Sequence, residues 1–447
     1  MSDLFVHPGR LEGCIRIPPS KSMAHRAVIC SMLAGNTSLS GIGTGAGDLG
    51  AAALSRDIHT TIEAMRCLLA GKKEISCDES GSTLRFLIPI AAALGKNVTF
   101  TGAGRLPDRP LHEYLAIFED KGISLKFPED GRSLPLSVKG QLTAGHFRVP
   151  GNVSSQYITG LLLALPLLDG DSEIEVTSFL ESAGYVDMTL QVMKHFGVAA
   201  SNVKNSYLIH GGQKYYKSSY NIEGDYSQAA FWLTANYLGS DVTLSGLDDA
   251  SAQGDRDIIW FLEIFRNARI DAGKIGSEQA DRKKADRKQA DRKQTGGEQT
   301  GVKQTGSDQT GIEIEIDASQ IPDLVPIIAV AAANTDATTK IVNAGRLRYK
   351  ESDRLKSTAQ MISGIGGDIT ETSDGLLIRG GRRMTGGTAD SYGDHRISMA
   401  AAIAALSTLN GVTIINYNCV DKSYPTFFDE FKKTGGVLNE LDLGKQS

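Results

Sequence analysis

The chain has 447 residues, a formal net charge of −5 and 41% hydrophobic residues. That length allows about two or three domains, each able to bury a core without staples, and the apolar share is that of a globular chain. The near balance of 47 basic against 52 acidic residues excludes a broad basic face for nucleic acid, so basic clusters act locally.

Five cysteines with no C-x-x-C pair fit reduced thiols better than a disulfide frame or a zinc site. The opening Met1-Ser2-Asp3-Leu4 has no signal pattern, and no apolar run reaches the roughly 18 residues of a membrane span. The expected location is the cytoplasm.

In chain order, Pro18 and Pro19 stop a strand and Ser20 stands at an N-cap position. Lys21 and Ser22 then fall in the first turn of a helix, with Arg26 one turn later on nearly the same face. First-turn amides, the positive helix end and a Lys together suit an anion. The run Gly45-Ala46-Gly47-Asp48-Leu49-Gly50 is a literal G-x-G-x-x-G ahead of a helix-like stretch at 51–69. The segment before it, 36–40, is too polar for a central parallel strand, so a flexible turn is expected rather than a dinucleotide site.

Gly81-Ser82-Thr83-Leu84-Arg85 repeats the anion-binding design and leads into an apolar helix at 84–94 and a β-run at 98–101. Arg105 and Arg109 flank a proline-stiffened loop. Asn152-Val153-Ser154-Ser155-Gln156 opens a helix at 158–168, followed by a β-run at 173–176. Gly224-Asp225 opens another helix at 226–238. The recurrence of turn, apolar helix, Gly and strand points to an α/β fold with a repeated unit of about 60 to 70 residues. Ligands in such folds sit at the carboxyl ends of strands, where these turns lie.

From 279 to 311 the chain runs in five-residue steps, Ala-Asp-Arg-Lys and then Gln-Thr-Gly. The period matches neither helix nor strand, and the stretch lacks large apolar residues, so a low-complexity surface loop is expected.

The C-terminal half holds the densest chemistry. Ile321-Pro322-Asp323 places a carboxylate where an N-cap for helix 324–333 is expected. Lys350-Glu351-Ser352-Asp353-Arg354 opens a helix on which Glu351 and Arg354 are three apart and can pair. Asp394-His395-Arg396 opens the helix at 397–409, a β-run follows at 412–415, and Lys422 lies just before Pro425. Carboxylates beside a Lys and a His are what proton transfer requires, and Arg forks hold carboxylate or phosphate in two-point contact. The three basic patches imply one site for a small, highly anionic substrate.

Taken together, the motifs resemble the 5-enolpyruvylshikimate-3-phosphate synthase family of enolpyruvyl transferases over almost the whole chain. Carrying residues are Pro19-Ser20-Lys21-Ser22 with Arg26, Ser80 to Thr83 with Arg85, Asp108-Arg109-Pro110, Ser154-Ser155-Gln156, Glu223-Gly224-Asp225, Ile321-Pro322-Asp323, Lys350 to Arg354 and Asp394-His395-Arg396. The resemblance implies two similar lobes, each of three βαβαββ-type units in an inside-out, barrel-like α/β arrangement, with the site in the cleft between them. One lobe would run 21–224 and the other would combine 1–20 with 225–447. The implied reaction moves the enolpyruvyl group of phosphoenolpyruvate to the 5-hydroxyl of shikimate 3-phosphate. It proceeds by addition and elimination through a tetrahedral intermediate, without a metal, an organic cofactor or a covalent adduct. The implied partners are these two small molecules alone, with no nucleic acid and no membrane, and the implied state is a monomer.

By the same resemblance, Ser22 and Arg26 hold the carboxylate of shikimate 3-phosphate. Ser154, Ser155, Ser182 and Tyr185 hold its phosphate, with Lys21, Arg346, Asp323 and Lys350 completing the set. Phosphoenolpyruvate lies among Lys21, Gly81, Arg109, Gln156, Arg354, Arg396 and Lys422. Glu351 is expected to transfer the proton at C3, Asp323 to serve the 5-hydroxyl, Lys21 to assist the departing phosphate and His395 to help. Three departures stand out: Arg346 where many members carry Asn, Ser55-Arg56-Asp57 for a more usual Ser-Asp-Asp, and longer loops near 44–54 and from 279. Glyphosate, which competes with phosphoenolpyruvate, inhibits many members, and Gly81 is retained.

Two alternatives stay open from the sequence. One is the sister transferase acting on UDP-N-acetylglucosamine, which usually carries a loop Cys that Gly104 to Pro110 lacks. The other is a non-catalytic anion-binding protein of the same shape.

Overall fold

The structure, a computed structural model, describes residues 3–35, 37–42, 54–277, 302–306 and 312–441. Among these the strands pair into six sheets. Four of the sheets share one scheme. Two parallel strands are joined by a buried helix, and two more strands add antiparallel beside the second. Parallel neighbours need a long crossover, which an apolar helix laid on the sheet supplies.

In the first such unit, strands Glu74–Ser76 and Val98–Thr101 flank helix Gly81–Ala93, and Leu136–Gly140 and Ile123–Lys126 complete the sheet. In the second, His146–Val149 and Ser172–Val176 flank helix Ser155–Ala164, with Ser206–Ile209 and Ser201–Val203 added. In the third, Ile312–Asp317 and Thr338–Val342 flank helix Val325–Ala333, with Leu376–Arg379 and Asp368–Glu371. In the fourth, Gly387–Asp390 and Val412–Ile415 flank helix His395–Ala405. There the third strand is the N-terminal Asp3–Val6, beside Leu438–Leu441.

The crossover helices are buried over most of their length, with their polar residues concentrated in the first turns. Val325–Ala333 reads Val-Pro-Ile-Ile-Ala-Val-Ala-Ala-Ala, and every one of its residues is buried. A helix without a polar face belongs inside a core, and the early proline costs nothing where its N–H would be unpaired. Helices Gly81–Ala93 and Ser155–Ala164 approach so closely that a Cβ at Gly160 would lie 2.5 Å from the Arg85 carbonyl oxygen.

Two hydrophobic cores result. One draws on residues between Met23 and Ile222, the other on Leu4 to Ile17 together with Ala229 to Phe431. The chain passes between them twice, and the two crossings touch at a bridge between Pro19 and Gly224. Ser20 N donates to Glu223 O at 2.7 Å, and Asp225 N to Pro18 O at 2.9 Å. The crossings exchange partners. Strand Glu12–Arg16 pairs parallel with Asp241–Ser245 in one core, yet leads into helix Lys21–Leu33 in the other. Strand Tyr220–Asn221 pairs parallel with Leu39–Ser40, yet leads into helix Tyr226–Tyr237. Each lobe therefore supplies helix N-termini to the junction between the cores.

Two sequence expectations change. The stretch 279–311 was expected to be a loop, but Val302–Gly306 is a strand paired antiparallel with Ile312–Asp317. The edge of that sheet offers unpaired backbone groups, and pairing with them needs no apolar side chains. The remainder of the repeat lies outside the described residues, as does the G-x-G-x-x-G run at 45–50. Asp323 does not cap its helix: Leu324 occupies the cap position of Val325–Ala333. Among the described residues, no helix is long and apolar enough to cross a membrane.

Candidate active site

A cavity of about 660 Å³ opens between the two cores, lined by residues of both. Capped helix starts surround it. Ser20, Ser80 and Ser154 accept bonds from the first-turn amides of Met23, Thr83 and Gln156. On the opposite side, Asp225, Asp353 and Asp394 do the same for Ser227, Lys356 and Arg396. Small polar caps stabilise each helix start and turn its positive end toward the cavity.

On the first wall, Lys21 Nζ lies 2.9 Å from Asp57 Oδ2, and the Lys21 backbone amide donates to Asp225 Oδ2 across the junction. Arg26 is buried. Its guanidinium donates to Thr189 Oγ1, Ser22 O and Tyr185 O at 2.7, 2.6 and 2.7 Å, and reaches Thr159 Oγ1 at 3.4 Å. Gln156 is fixed from both ends: Nε2 donates to Ser82 Oγ at 2.9 Å, and Oε1 accepts from Arg85 Nη1 at 3.1 Å. Arg109 stands apart. Its guanidinium has no hydrogen-bond or ion-pair partner among the described residues. Burial and the neighbouring Arg85 push its pKa down to about 10, so it remains a cation.

The second wall is an ionic lattice centred on Arg354. Its Nη1 donates to Asp323 Oδ1, its Nη2 to Glu351 Oε2 and its Nε to Asp394 Oδ2, each at 2.7 Å. Arg396 Nη2 donates to Asp323 Oδ2 at 3.0 Å, and Lys350 Nζ lies 3.5 Å from Asp323 Oδ1. Burial alone would raise the Asp323 carboxyl, but Arg396, Lys350 and Arg354 outweigh it and hold its pKa well below normal. Glu351 behaves alike, its burial overcome by Arg354, Lys422 and Arg109. Burial lowers Lys350 to about 8. His395 is buried with no bond to either ring nitrogen among the described residues; burial and then Lys21 keep it neutral.

The cavity gathers Lys21, Ser22, Arg26, Gly81, Arg109, Ser154, Ser155, Gln156, Ser182, Tyr185, Asp323, Arg346, Lys350, Glu351, Arg354, His395 and Arg396. Lys422 is the exception. It lines a neighbouring cavity of about 360 Å³ that shares Asp57, Arg109 and Glu351 with the first. There its Nζ is 3.2 Å from Glu79 Oε2, with Glu351 and Asp57 also acting on its charge. Tyr185 is in place, its hydroxyl 3.1 Å from Asp323 Oδ2 and 3.3 Å from Asp255 Oδ2. Arg346 meets Glu181 at 2.8 Å and donates to Ser182 Oγ at 2.7 Å.

Sequence reasoning undervalued Asp57, and it placed Ser82 and Arg85 at an anion-binding helix start without finding their hold on Gln156. Asp57 sits in the first turn of helix Arg56–Leu69, two residues past Ser55 at the cap position, so a helix-start signal was available. The geometry as a whole can hold two anions beside two ionised carboxylates.

A model of the EPSP synthase (3-phosphoshikimate 1-carboxyvinyltransferase) family matches residues 6–431. Among curated proteins, the 3-phosphoshikimate 1-carboxyvinyltransferases of Clostridium acetobutylicum and Clostridium novyi are each 42% identical to this chain, over 460 and 474 residues, covering all of both sequences. Among solved structures, an EPSP synthase from Acinetobacter baumannii superposes with a TM-score of 0.72 at 21% identity, covering 99% of this chain and 100% of that one. That likeness shows the same fold. With a match over nearly its whole length and full-length relatives at this identity, the chain belongs to the EPSP synthase family.

Proposed function

We propose that this protein transfers the enolpyruvyl group of phosphoenolpyruvate to the 5-hydroxyl of shikimate 3-phosphate and releases phosphate. The observation that carries the reading is the pair Asp323 and Glu351. Both are ionised, and both are held by one buried guanidinium, Arg354, opposite the unpartnered Arg109.

In this reading shikimate 3-phosphate lies on the first wall. Ser22 and Arg26 face its carboxylate, and Ser154, Ser155 and Ser182, with Arg346 behind them, face its phosphate. Asp323 and Lys350 face its hydroxyls, and Gln156 stands between the two substrates. Phosphoenolpyruvate occupies the space at Gly81. Arg354 and Arg396 take its carboxylate, while Lys21 and Arg109 take its phosphate. Lys422 joins them by leaving Glu79.

The chemistry then divides by position. Asp323 accepts the hydroxyl proton as the oxygen bonds to C2, while Glu351, protonated from solvent once the bound anions engage the cations that hold it low, gives its proton to C3. In the elimination Glu351 takes a proton from C3 while phosphate departs, screened by Lys21. Neutral His395 serves as a hydrogen-bonding neighbour rather than a cation. Fixed charges aimed at the developing negative charge supply the rest of the stabilisation.

The lobes in this reading are 21–224 and 1–20 with 225–447. Both contribute cations to one cleft, so bound anions draw them together. The enzyme works as a monomer in the cytoplasm, on these small molecules alone and without a metal or organic cofactor. The test is phosphate release by purified protein. Release with both substrates, and none when either is omitted, is expected; release from phosphoenolpyruvate alone would refute it.

A further inference from the structure

The Tyr185 hydroxyl stands between two buried carboxylates, 3.1 Å from Asp323 Oδ2 and 3.3 Å from Asp255 Oδ2. One hydroxyl donates one hydrogen. Donated to Asp255 it leaves the Asp323 side of the Tyr185 oxygen open to a proton, and Asp255 is the carboxylate with more to gain by keeping that hydrogen. Asp255 lies in the short 3-10 helix Gly254–Asp257 and is 7% exposed. Its second oxygen, Oδ1, is buried with no partner among the described residues. Among the described residues no cation touches it directly, in contrast to Asp323. A buried carboxylate left so bare is costly, whereas a buried carboxylic acid is not.

We propose that Asp255 is a positioning residue that receives, through Tyr185, the proton Asp323 takes from the substrate hydroxyl. The proposal rests on the reaction assigned above. The step balances. The substrate O–H bond breaks as its oxygen bonds to C2, and the proton arrives on Asp323. Asp323 passes it to the Tyr185 oxygen while the hydrogen of Tyr185 moves to Asp255 Oδ2. Tyr185 ends unchanged and one proton has moved from Asp323 to Asp255. When the C–O bond to phosphate breaks, the proton returns by the same route and leaves on hydrogen phosphate.

The surroundings favour that direction. The charged and titratable groups facing Asp255 are Tyr185 on helix Ala183–His195, Asp323 before helix Val325–Ala333, Arg396 on helix His395–Ala405 and Asp225 at the cap of helix Tyr226–Tyr237. Burial first, then Asp323 and Asp225, raise the Asp255 pKa to about 7, with Arg396 opposing them. Asp323 is held well below normal. A proton on Asp323 therefore moves downhill to Asp255. Alone, Asp323 is a weak base; linked to Asp255, it draws on an acceptor poised near neutrality.

The test is the pH profile of kcat for the wild type, Asp255→Asn, Tyr185→Phe and the double variant, each checked for shikimate 3-phosphate binding by calorimetry. The wild type is expected to show an acidic limb with a midpoint near 7. Asp255→Asn should lower kcat by about tenfold with KM for shikimate 3-phosphate little changed, and should abolish that limb. Tyr185→Phe should abolish it equally, and the double variant should lose nothing further. A limb that survives in Asp255→Asn, or losses that multiply in the double variant, would overturn the relay. The ligand-free protein gives an independent reading that does not depend on turnover. Its infrared spectrum should lose a protonated carboxyl band as pH rises through neutrality, and Asp255→Asn should lack that band; persistence of the band would also overturn the proposal. Wild-type protein that shows the band but releases no phosphate would refute the reaction and not the proton on Asp255.

Discussion

A Cβ built on Gly81 lies 2.7 Å from Arg109 Nη1 and 2.9 Å from Arg85 Nη1. The residue is glycine for space, since its backbone is ordinary helix at the start of Gly81–Ala93. Gly81→Ala must therefore push aside the Arg109 guanidinium, which has no partner among the described residues to hold it. KM for phosphoenolpyruvate is expected to rise on the order of tenfold, about 1.4 kcal/mol of binding, with KM for shikimate 3-phosphate little changed. Steady-state kinetics with each substrate varied in turn decides this; equal rises in both constants would place Arg109 elsewhere.

Asp323 and Asp394 both hold Arg354, but they should fail differently. Asp394 is fully buried, caps helix His395–Ala405 and also accepts from Ser352 Oγ. Asp394→Ala leaves a buried guanidinium short of a partner and a helix start uncapped, at a cost of about 3–5 kcal/mol, seen as a lower denaturation midpoint. Asp323 faces the cavity, where Arg354, Arg396 and Lys350 share its charge. Asp323→Asn is expected to fold, bind shikimate 3-phosphate and lose kcat by roughly 10²–10⁴-fold. Near-normal turnover in that variant would remove Asp323 from the chemistry.

The contrast shows what can be read from sequence and what cannot. Helix starts at Ser20, Ser80, Ser154, Asp353 and Asp394 were legible because capping is local: the side chain bonds an amide two or three residues on. The pairing of Glu351 with Arg354 was legible for the same reason. Asp323 was mistaken for a cap because its true partners lie 31 and 73 positions away. Lys422 was assigned to the main cavity because nothing in its own segment reveals Glu79, 343 positions earlier. The bridging of Tyr185 between Asp255 and Asp323 spans both cores and has no sequence signature. The strand at Val302–Gly306 escaped notice because it depends on a neighbouring edge rather than on its own pattern.

Lys350 gives the pH dependence its alkaline side. Its pKa falls from 10.5 to about 8, chiefly through burial, with Asp323 partly opposing the shift. The cation is lost as pH rises through that value, so kcat/KM for shikimate 3-phosphate should fall above pH about 8. Lys350→Arg, which keeps its charge, should remove this limb. Stability runs the other way. Folding disfavours the protonated amine, so this contribution improves as pH rises from about 8 to 10.5. A limb unchanged in Lys350→Arg would assign it to another group.

Arg346 stands where the sequence resemblance led to the expectation of Asn, and the structure shows what the larger side chain does. It lies at a junction of the two cores, meeting Glu181 at 2.8 Å and donating to Ser182 Oγ and the Ser319 carbonyl. Ser182 sits in the left-handed region at φ +57° and donates its own amide to Ser319 O. Arg346 thus clamps a strained serine that lines the cavity. Arg346→Asn frees that serine and leaves Glu181 half-buried without its cation. Burial already raises the Glu181 pKa, and losing Arg346 removes the charge that opposes the rise. The variant should lose about 1–3 kcal/mol of stability and raise KM for shikimate 3-phosphate more than KM for phosphoenolpyruvate. Denaturant melts and the two constants measure this directly. Adding Glu181→Gln should recover part of the stability but none of the lost affinity, because only the arginine reaches Ser182.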